Sequence, residues 1–292
     1  MNNLGAGESQ PVYVVGDVHG EYDKLVGLLQ NAALIGDDLA WTGGNIILWL
    51  MGDLFDRGPG GIATVDLVMR LQREAPGMGG RVSSLLGNHD MLIMAARDFG
   101  DTPIAYSGMT FRSVWQINGG HDADMEGLTP EHIAWLKSLP AMALEGDRLL
   151  LHADGSTYTS YGSSIEEVSG AIRAVMHNDS HDAWVKLEKD FAQRYAFYGR
   201  DKDNPERASE EGQSLAAQFL QQYGGRQLIH GHTLISDMTR QKPEEVTEPL
   251  VYAGGLCVNV DGGMCEGGPG FVYRLPPLSP SYPYESATEG SL

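Results

Sequence analysis

The apolar positions of this chain fall into short blocks that end abruptly in polar turns. Residues 12–15 make a first buried strand, followed after Gly20 by Tyr22, Leu25, Leu28, Leu29 and Ala32 at helical spacing, with Gly36 as the stop. Residues 46–51 are an almost unbroken apolar run of the kind buried on both faces of a sheet. Ile62, Val65, Val68, Met69 and Gln72 line a second helix that ends before Pro76. Residues 82–86 give a third strand and 91–97 a third helix. This rhythm predicts consecutive βαβ units of an α/β fold, whose strand ends lie side by side and bring their following loops together.

From 101 to 127 the periodicity fades and Gly, Ser, Thr and Asn are common, so an irregular excursion is expected. Thr129-Pro130-Glu131 then starts a helix, with an N-cap hydroxyl, proline at the first helical position and an acid in the first turn; it should run to Ser138. A strand is expected at 148–151. Helices follow at 166–176, 182–195 and 215–223, interrupted by a loop at 199–205, and further strands at 227–229, 258–260 and 271–275. The helical stretch separates two strands by about 75 residues and reads as a cap over whatever site they form. Residues 1–10 read as a disordered lead-in, 11–278 as one domain with 155–225 as the helical cap insertion, and 279–292 as a flexible tail.

Composition narrows the setting. The 292 residues, 42% hydrophobic, can bury a sizeable core. The 39 acidic against 20 basic residues give a net charge of -19, the wrong sign for nucleic acid or an anionic membrane surface. Cys257 and Cys265 are too few for a disulfide framework and lack metal-binding spacing, so buried reduced thiols are expected. The N-terminus has no signal-peptide pattern and no stretch approaches the ~20 apolar residues of a membrane span, which implies a cytoplasmic protein.

Chemistry concentrates where the strands end. Gly16-Asp17-Val18-His19-Gly20, Gly52-Asp53-Leu54-Phe55-Asp56-Arg57-Gly58 and Gly87-Asn88-His89-Asp90 are nearly evenly spaced: Asp17 to Asp53 is 36 residues and Asp53 to Asn88 is 35. Placing carboxylates and a guanidinium at the end of apolar runs is costly unless ions satisfy them. Oxygen and imidazole donors without thiolate suit Mn, Fe, Zn or Mg.

With His152 and Gly231-His232-Thr233 added, the order of motifs resembles the calcineurin-like metallophosphoesterases, phosphoprotein phosphatase family, over about residues 12–275. The resemblance implies a central β-sandwich of mixed sheets flanked by helices, and two divalent ions, Mn²⁺ first, with Fe, Zn or Mg as alternatives. Asp17 and His19 would hold one ion, Asp53 would bridge both, and Asn88, His152 and His232 would hold the second. Two dications about 3.5–4 Å apart need such a shared anion, and together they acidify a water for in-line attack on phosphorus. By the same resemblance His89 is the general acid, Asp56 holds its ring, and Arg57 clamps phosphate oxygens. Arg200 sits where the family often places a second phosphate-binding arginine, although a surface salt bridge suits it equally.

Several residues stand outside or depart from the pattern. His230 and His232 would share a face on a strand, and the Gly-His position selects His232. His121, His132, His177 and His181 read as surface or packing histidines, and Asp261 as a turn residue. Asp90 replaces the usual glutamate. Ala153-Asp154 after His152 resembles the bacterial and bacteriophage branch, with Asp154 either bearing on the ligands or facing solvent.

The implied activity is hydrolysis of phosphoserine and phosphothreonine, with phosphotyrosine and small phosphate esters as further substrates. The alternative is symmetrical hydrolysis of dinucleoside polyphosphates such as diadenosine tetraphosphate. Enzymes of that group commonly lack the second aspartate of the Asp-x-x-Asp-Arg-Gly motif, and Asp56 is present. A catalytically silent binding module would have lost a ligand or His89, and none is missing.

Overall fold

The computed structural model of the protein describes residues 10–199, 205–279 and 282. The expected lead-in, Arg200 and nearly all of the expected tail lie outside the described residues. The first half follows the strand, turn, helix rhythm. β1 (Val12–Val15), α1 (Tyr22–Asn31), β2 (Ile47–Leu50), α2 (Gly61–Glu74), β3 (Arg81–Ser84) and α3 (Asn88–Phe99) make two right-through βαβ units, with β1 pairing β2 and β2 pairing β3 in parallel.

The stretch expected to be irregular is partly helical. It contains α4 (Phe111–Ile117) and α5 (Asp122–Gly127), and Thr110 caps α4 by accepting the Ser113 N–H. Helices of seven and six residues span too few turns for a period to show. α6 (Pro130–Ser138) begins at the Thr129 cap as its chemistry requires.

Two strands escaped the periodicity. β4 (Met142–Glu145) pairs antiparallel with β5 (Arg148–Leu151), and after α7 (Ile165–Met176), α8 (His181–Phe191), α9 (Pro205–Tyr223), β6 (Gln227–His230) and α10 (Ile235–Thr239), β7 (Leu250–Tyr252) pairs antiparallel with β8 (Cys257–Asn259). Both are short, half-exposed edge strands, so no long apolar run marks them. α8 ends four residues short of expectation because Tyr195 turns back, its N–H donating to the buried Asp154 carboxylate. α9 starts ten residues early; its first turns are polar and carry an Arg207–Glu211 ion pair in place of an apolar stripe.

With β9 (Val272–Arg274) antiparallel to β1, the strands form two mixed sheets, ordered β3-β2-β1-β9 and β4-β5-β6-β8-β7. Val14, Ile47 and Trp49 of the first sheet share one core with Leu150, Ile229 and Val258 of the second, so the sheets stack face to face. The alternate residues Val15, Leu48 and Leu50 pack with Leu25 and Leu29 of α1 and Val65 and Val68 of α2. Each such side chain, fully buried, contributes about 1.5–3 kcal/mol of transfer free energy. The architecture is the expected sandwich of mixed sheets flanked by helices. α8 packs on α3, α7 on β4 and α6, and α9 on β6. Among the described residues no helix is long and apolar enough to cross a membrane.

Candidate active site

Because β1, β2 and β3 run parallel, their following loops leave one edge of the first sheet, and β5, β6 and β8 deliver theirs to the same place. Long-range hydrogen bonds tie these loops together. The His232 N–H donates to both carboxylate oxygens of Asp17 at 3.0 Å, 215 positions away, and His152 Nδ1 donates to Met51 O at 2.8 Å. Gly231 carries no side chain for a reason: a Cβ there would sit 2.1 Å from Asp17 Oδ1.

The backbone is strained where the candidate residues cluster. His19, Asp53, Asp56, Arg57 and His232 all take positive φ, from 48° to 70°. Side chains other than glycine rarely adopt that conformation, and it persists where surrounding contacts enforce it, commonly at functional sites. It also refutes the expectation that His230 and His232 face the same way. The strand ends at His230, whose ring is bound to Tyr252 Oη and Gly231 O, and the left-handed turn aims His232 elsewhere.

Three histidines turn ring nitrogens toward Asp53. A carbonyl can only accept, so the His19 Nδ1–H donates to Phe55 O at 3.0 Å, leaving His19 Nε2 facing Asp53 Oδ2 at 3.6 Å and Asp17 Oδ2 at 4.0 Å. His152 Nε2 lies 3.3 Å from Asp53 Oδ1 and 3.0 Å from Asn88 Oδ1. His232 is 3% exposed, and neither of its ring nitrogens has a hydrogen-bond partner among the described residues. An orphaned buried nitrogen costs about 1–3 kcal/mol, which a coordinated cation would offset. Ligand atoms of His19, Asp53 and His89, and of Asp53, His152 and His232, form two groups within 4.8 Å, and Asp53 belongs to both. This donor set fits two hard or borderline divalent ions sharing one carboxylate.

The electrostatics of the metal-free site fit the same picture. Burial raises the Asp17 pKa well above the usual carboxylate range, and the Asp261 charge adds to it. Burial also holds His19 and His232 well below the ordinary histidine value. For His152 burial works in the same direction, but the Asp53 and Asp17 carboxylates overcome it and hold the ring up to about 10.

Beside these groups, Asp56 Oδ2 binds His89 Nδ1 at 2.7 Å, and the His89 ring lies edge-on to His19 with centroids 4.6 Å apart. Arg57 is half-buried. Its Nη1 donates to Cys265 Sγ at 3.3 Å and lies 3.7 Å from Glu266, and its carbonyl accepts from His121 Nε2 at 2.9 Å. A groove of about 410 Å³, lined by Arg57, Ile117, Asn118, Gly119 and Glu266, opens beside the guanidinium.

The structure therefore brings together Asp17, His19, Asp53, Asp56, Arg57, Asn88, His89, His152 and His232; Arg200 lies outside the described residues. Sequence reasoning passed over several partners. Trp115 of α4 donates to Asp56 Oδ1 at 2.7 Å. Asp90, noted only as a departure, accepts the N–H groups of Asp53, Leu54 and Gly87 at 2.8–3.0 Å. Asp154, which the sequence left open between bearing on the ligands and facing solvent, is fully buried and accepts from Thr233 Oγ1 and Tyr195 N, joining the His232 loop to the segment after α8. Arg194 donates to His232 O at 3.2 Å. Cys265, expected in the core, is half-buried at Arg57. The capping aspartate of a helix N-terminus is readable in sequence as a class; a tryptophan in an aperiodic stretch is not.

Residues 10–236 match the family model of the calcineurin-like phosphoesterases. The symmetrical bis(5'-nucleosyl)-tetraphosphatase of Aromatoleum aromaticum is 30% identical over 182 residues, 60% of this chain and 55% of that protein. Shewanella-like protein phosphatase 1 of Plasmodium berghei is 37% identical over 81 residues, 28% of this chain and 22% of that protein. The chain spans about half the length of the symmetrical tetraphosphatases it matches. The crystal structure of a cold-active protein-tyrosine phosphatase from a psychrophilic Shewanella superposes with a TM-score of 0.65 at 20% identity, covering 91% of this chain and 75% of that one, a likeness of fold. With the family match running from the first strand through the His232 loop, the chain belongs to the calcineurin-like phosphoesterases.

Proposed function

We propose that this protein is a dinuclear metal-dependent phosphomonoesterase acting on phosphoserine and phosphothreonine in proteins, and on phosphotyrosine. The observation that carries the reading is the Asp56–His89 pair at 2.7 Å, set against the His19 ring. Asp17 and His19 would hold one divalent ion and Asn88, His152 and His232 the other, with Asp53 available to both; Mn²⁺ is the first candidate. Bound there, the ions supply positive charge to the phosphate and acidify a water near neutral pH. His89 gives a proton to the leaving oxygen, and Asp56 orients its ring. Arg57 receives the phosphate oxygens, for which its fork geometry suits it. The groove beside Arg57, with Ile117 74% exposed at its edge, offers room for a peptide.

A second reading, symmetrical hydrolysis of a dinucleoside tetraphosphate, is favoured by the names of relatives matched over about 60% of the chain. Phosphate release from a phosphoserine peptide and hydrolysis of diadenosine tetraphosphate, each in Mn²⁺ and in chelator, separate the two. Peptide turnover that requires metal and drops at least about 1000-fold in Asp53→Asn supports the first reading. Strong preference for the dinucleotide would replace it with the second.

A further inference from the structure

Asp56 and Arg57 are consecutive residues in the left-handed region, with φ of 70° and 68°. Two such residues in a row, neither of them glycine, persist only where their surroundings hold them. His89 and Trp115 hold the Asp56 carboxylate. The Arg57 backbone is held separately, by the turn between α4 and α5. Its N–H donates to Gly119 O at 2.7 Å, and its carbonyl lies 2.9 Å from His121 Nε2. A carbonyl only accepts, so the His121 ring carries a proton on Nε2 and donates it there.

The turn is laid directly on Arg57. Gly119 has a φ of 91°, and a Cβ there would lie 2.9–3.0 Å from Arg57 N, Cα and Cγ. The turn is anchored on both sides. Gly120 N–H donates to Trp115 O at 2.9 Å, and His121 O accepts from Asp124 N at 2.9 Å, while Asp124 Oδ1 accepts the Ile62 N–H at 3.0 Å near the start of α2. The Arg57 guanidinium, by contrast, is loosely held. Its partners are a thiol, a weak acceptor, at 3.3 Å and the half-exposed Glu266 carboxylate at 3.7 Å, both of which a phosphate would outcompete. A pinned backbone thus carries a guanidinium free to change partners.

We propose that His121 is a positioning residue for Arg57: its Nε2–H fixes the left-handed backbone from which the guanidinium reaches phosphate. The inference rests on the reading of Arg57 as the phosphate-binding arginine. Residue type and spacing gave His121 no role beyond surface or packing, because its partner is a backbone carbonyl 64 positions away. His121 meets Arg57 and the first turn of α5, not the candidate metal ligands. Its loss therefore weakens the hold on phosphate and leaves the hold on metal intact.

Calorimetric titration of inorganic phosphate into the Mn²⁺-loaded protein tests it, with steady-state hydrolysis of p-nitrophenyl phosphate alongside. His121→Phe keeps a ring and deletes the donor. The expected result is a phosphate Kd and a KM raised about tenfold, a kcat changed less than about threefold, and native Mn²⁺ affinity. His121→Gln, whose amide returns an N–H near the Nε2 position, should recover most of the loss. In an Arg57→Ala background, already weak in phosphate, His121→Phe should add less than about twofold, since the side chain it positions is gone. Native phosphate affinity in His121→Phe would overturn the proposal alone. An effect that persists in full without the Arg57 side chain, or a glutamine variant no better than the phenylalanine one, would assign the loss to general packing and overturn it as well. Native phosphate affinity in Arg57→Ala, or a native protein that binds no phosphate when loaded with Mn²⁺, would overturn the reading of Arg57 together with this one.

Discussion

The Trp115 indole donates its Nε1–H to Asp56 Oδ1 at 2.7 Å, across 59 positions of chain, and so fixes from behind the carboxylate whose other oxygen holds His89. Both side chains are fully buried. The ring orientation of His89 thus depends on a helix that no sequence period announces.

Trp115→Phe keeps most of the bulk and deletes the donor, leaving a buried Asp56 oxygen unpaired at a cost of about 1–3 kcal/mol. The expected outcome is a kcat lowered about tenfold with KM little changed, measured by Mn²⁺-dependent phosphate release. An unaltered kcat with a lowered Tm would mean that the bond serves folding only.

Asp90 receives three N–H groups from the loops carrying Asp53 and Asn88. In Asp90→Asn the amide turns a donor toward at least one of them. Tm should fall by roughly 3–10 °C, and Mn²⁺ affinity by about tenfold as Asp53 loosens. Thermal melts and metal titration check both, and a variant with native affinity would show that Asp90 does not position Asp53.

The protonation pattern predicts how metal binding depends on pH. His152 is held up to about 10 in the metal-free protein against about 6.5 unfolded. Its raised pKa stabilises the metal-free fold fully below about pH 6.5, and that contribution is lost as pH rises through 10. Asp90 and Asp261, raised to about 6 chiefly by burial, stabilise it most below about pH 4, and that contribution is lost as pH rises through 6. A cation must displace the His152 proton, so the apparent Mn²⁺ association constant should rise about tenfold per pH unit between pH 6.5 and 9. Calorimetry in buffers of different ionisation enthalpy should register the released proton. A flat affinity over that range would contradict the assignment of His152.

A methyl group at Gly231 would meet Asp17 Oδ1 at 2.1 Å. Gly231→Ala should therefore push the Asp17 carboxylate off the His232 N–H and weaken Mn²⁺ binding by more than about tenfold, while circular dichroism shows the sheets intact. Native affinity in this variant would mean that the Asp17 loop adjusts freely.

Much of the fold and of the site can be read along the chain. The three strand, turn, helix blocks are local patterns, and so are the clusters at Asp17, Asp53 and Asn88 that follow them; parallel pairing of β1, β2 and β3 follows from the connections. The long apolar run of β2 announces burial on both faces, and both faces are buried. The Thr129-Pro130-Glu131 start likewise appears where its capping chemistry puts it.

What the chain by itself determined, then, is which residues carry the donor chemistry and which strand ends present them, because spacing and residue type are local properties. Tertiary structure alone decided which distant groups support them. The His232 N–H finds Asp17 across 215 positions, Trp115 finds Asp56, and Asp261 reaches the Asp17 loop from the opposite sheet. The short edge strands β4 and β7 and the helix α4 are stabilised by partners brought to them and carry little pattern of their own. Hydrophobic periodicity records only the face an element buries; it cannot record a buried polar contact, whose free energy exists only once both partners have left water and met.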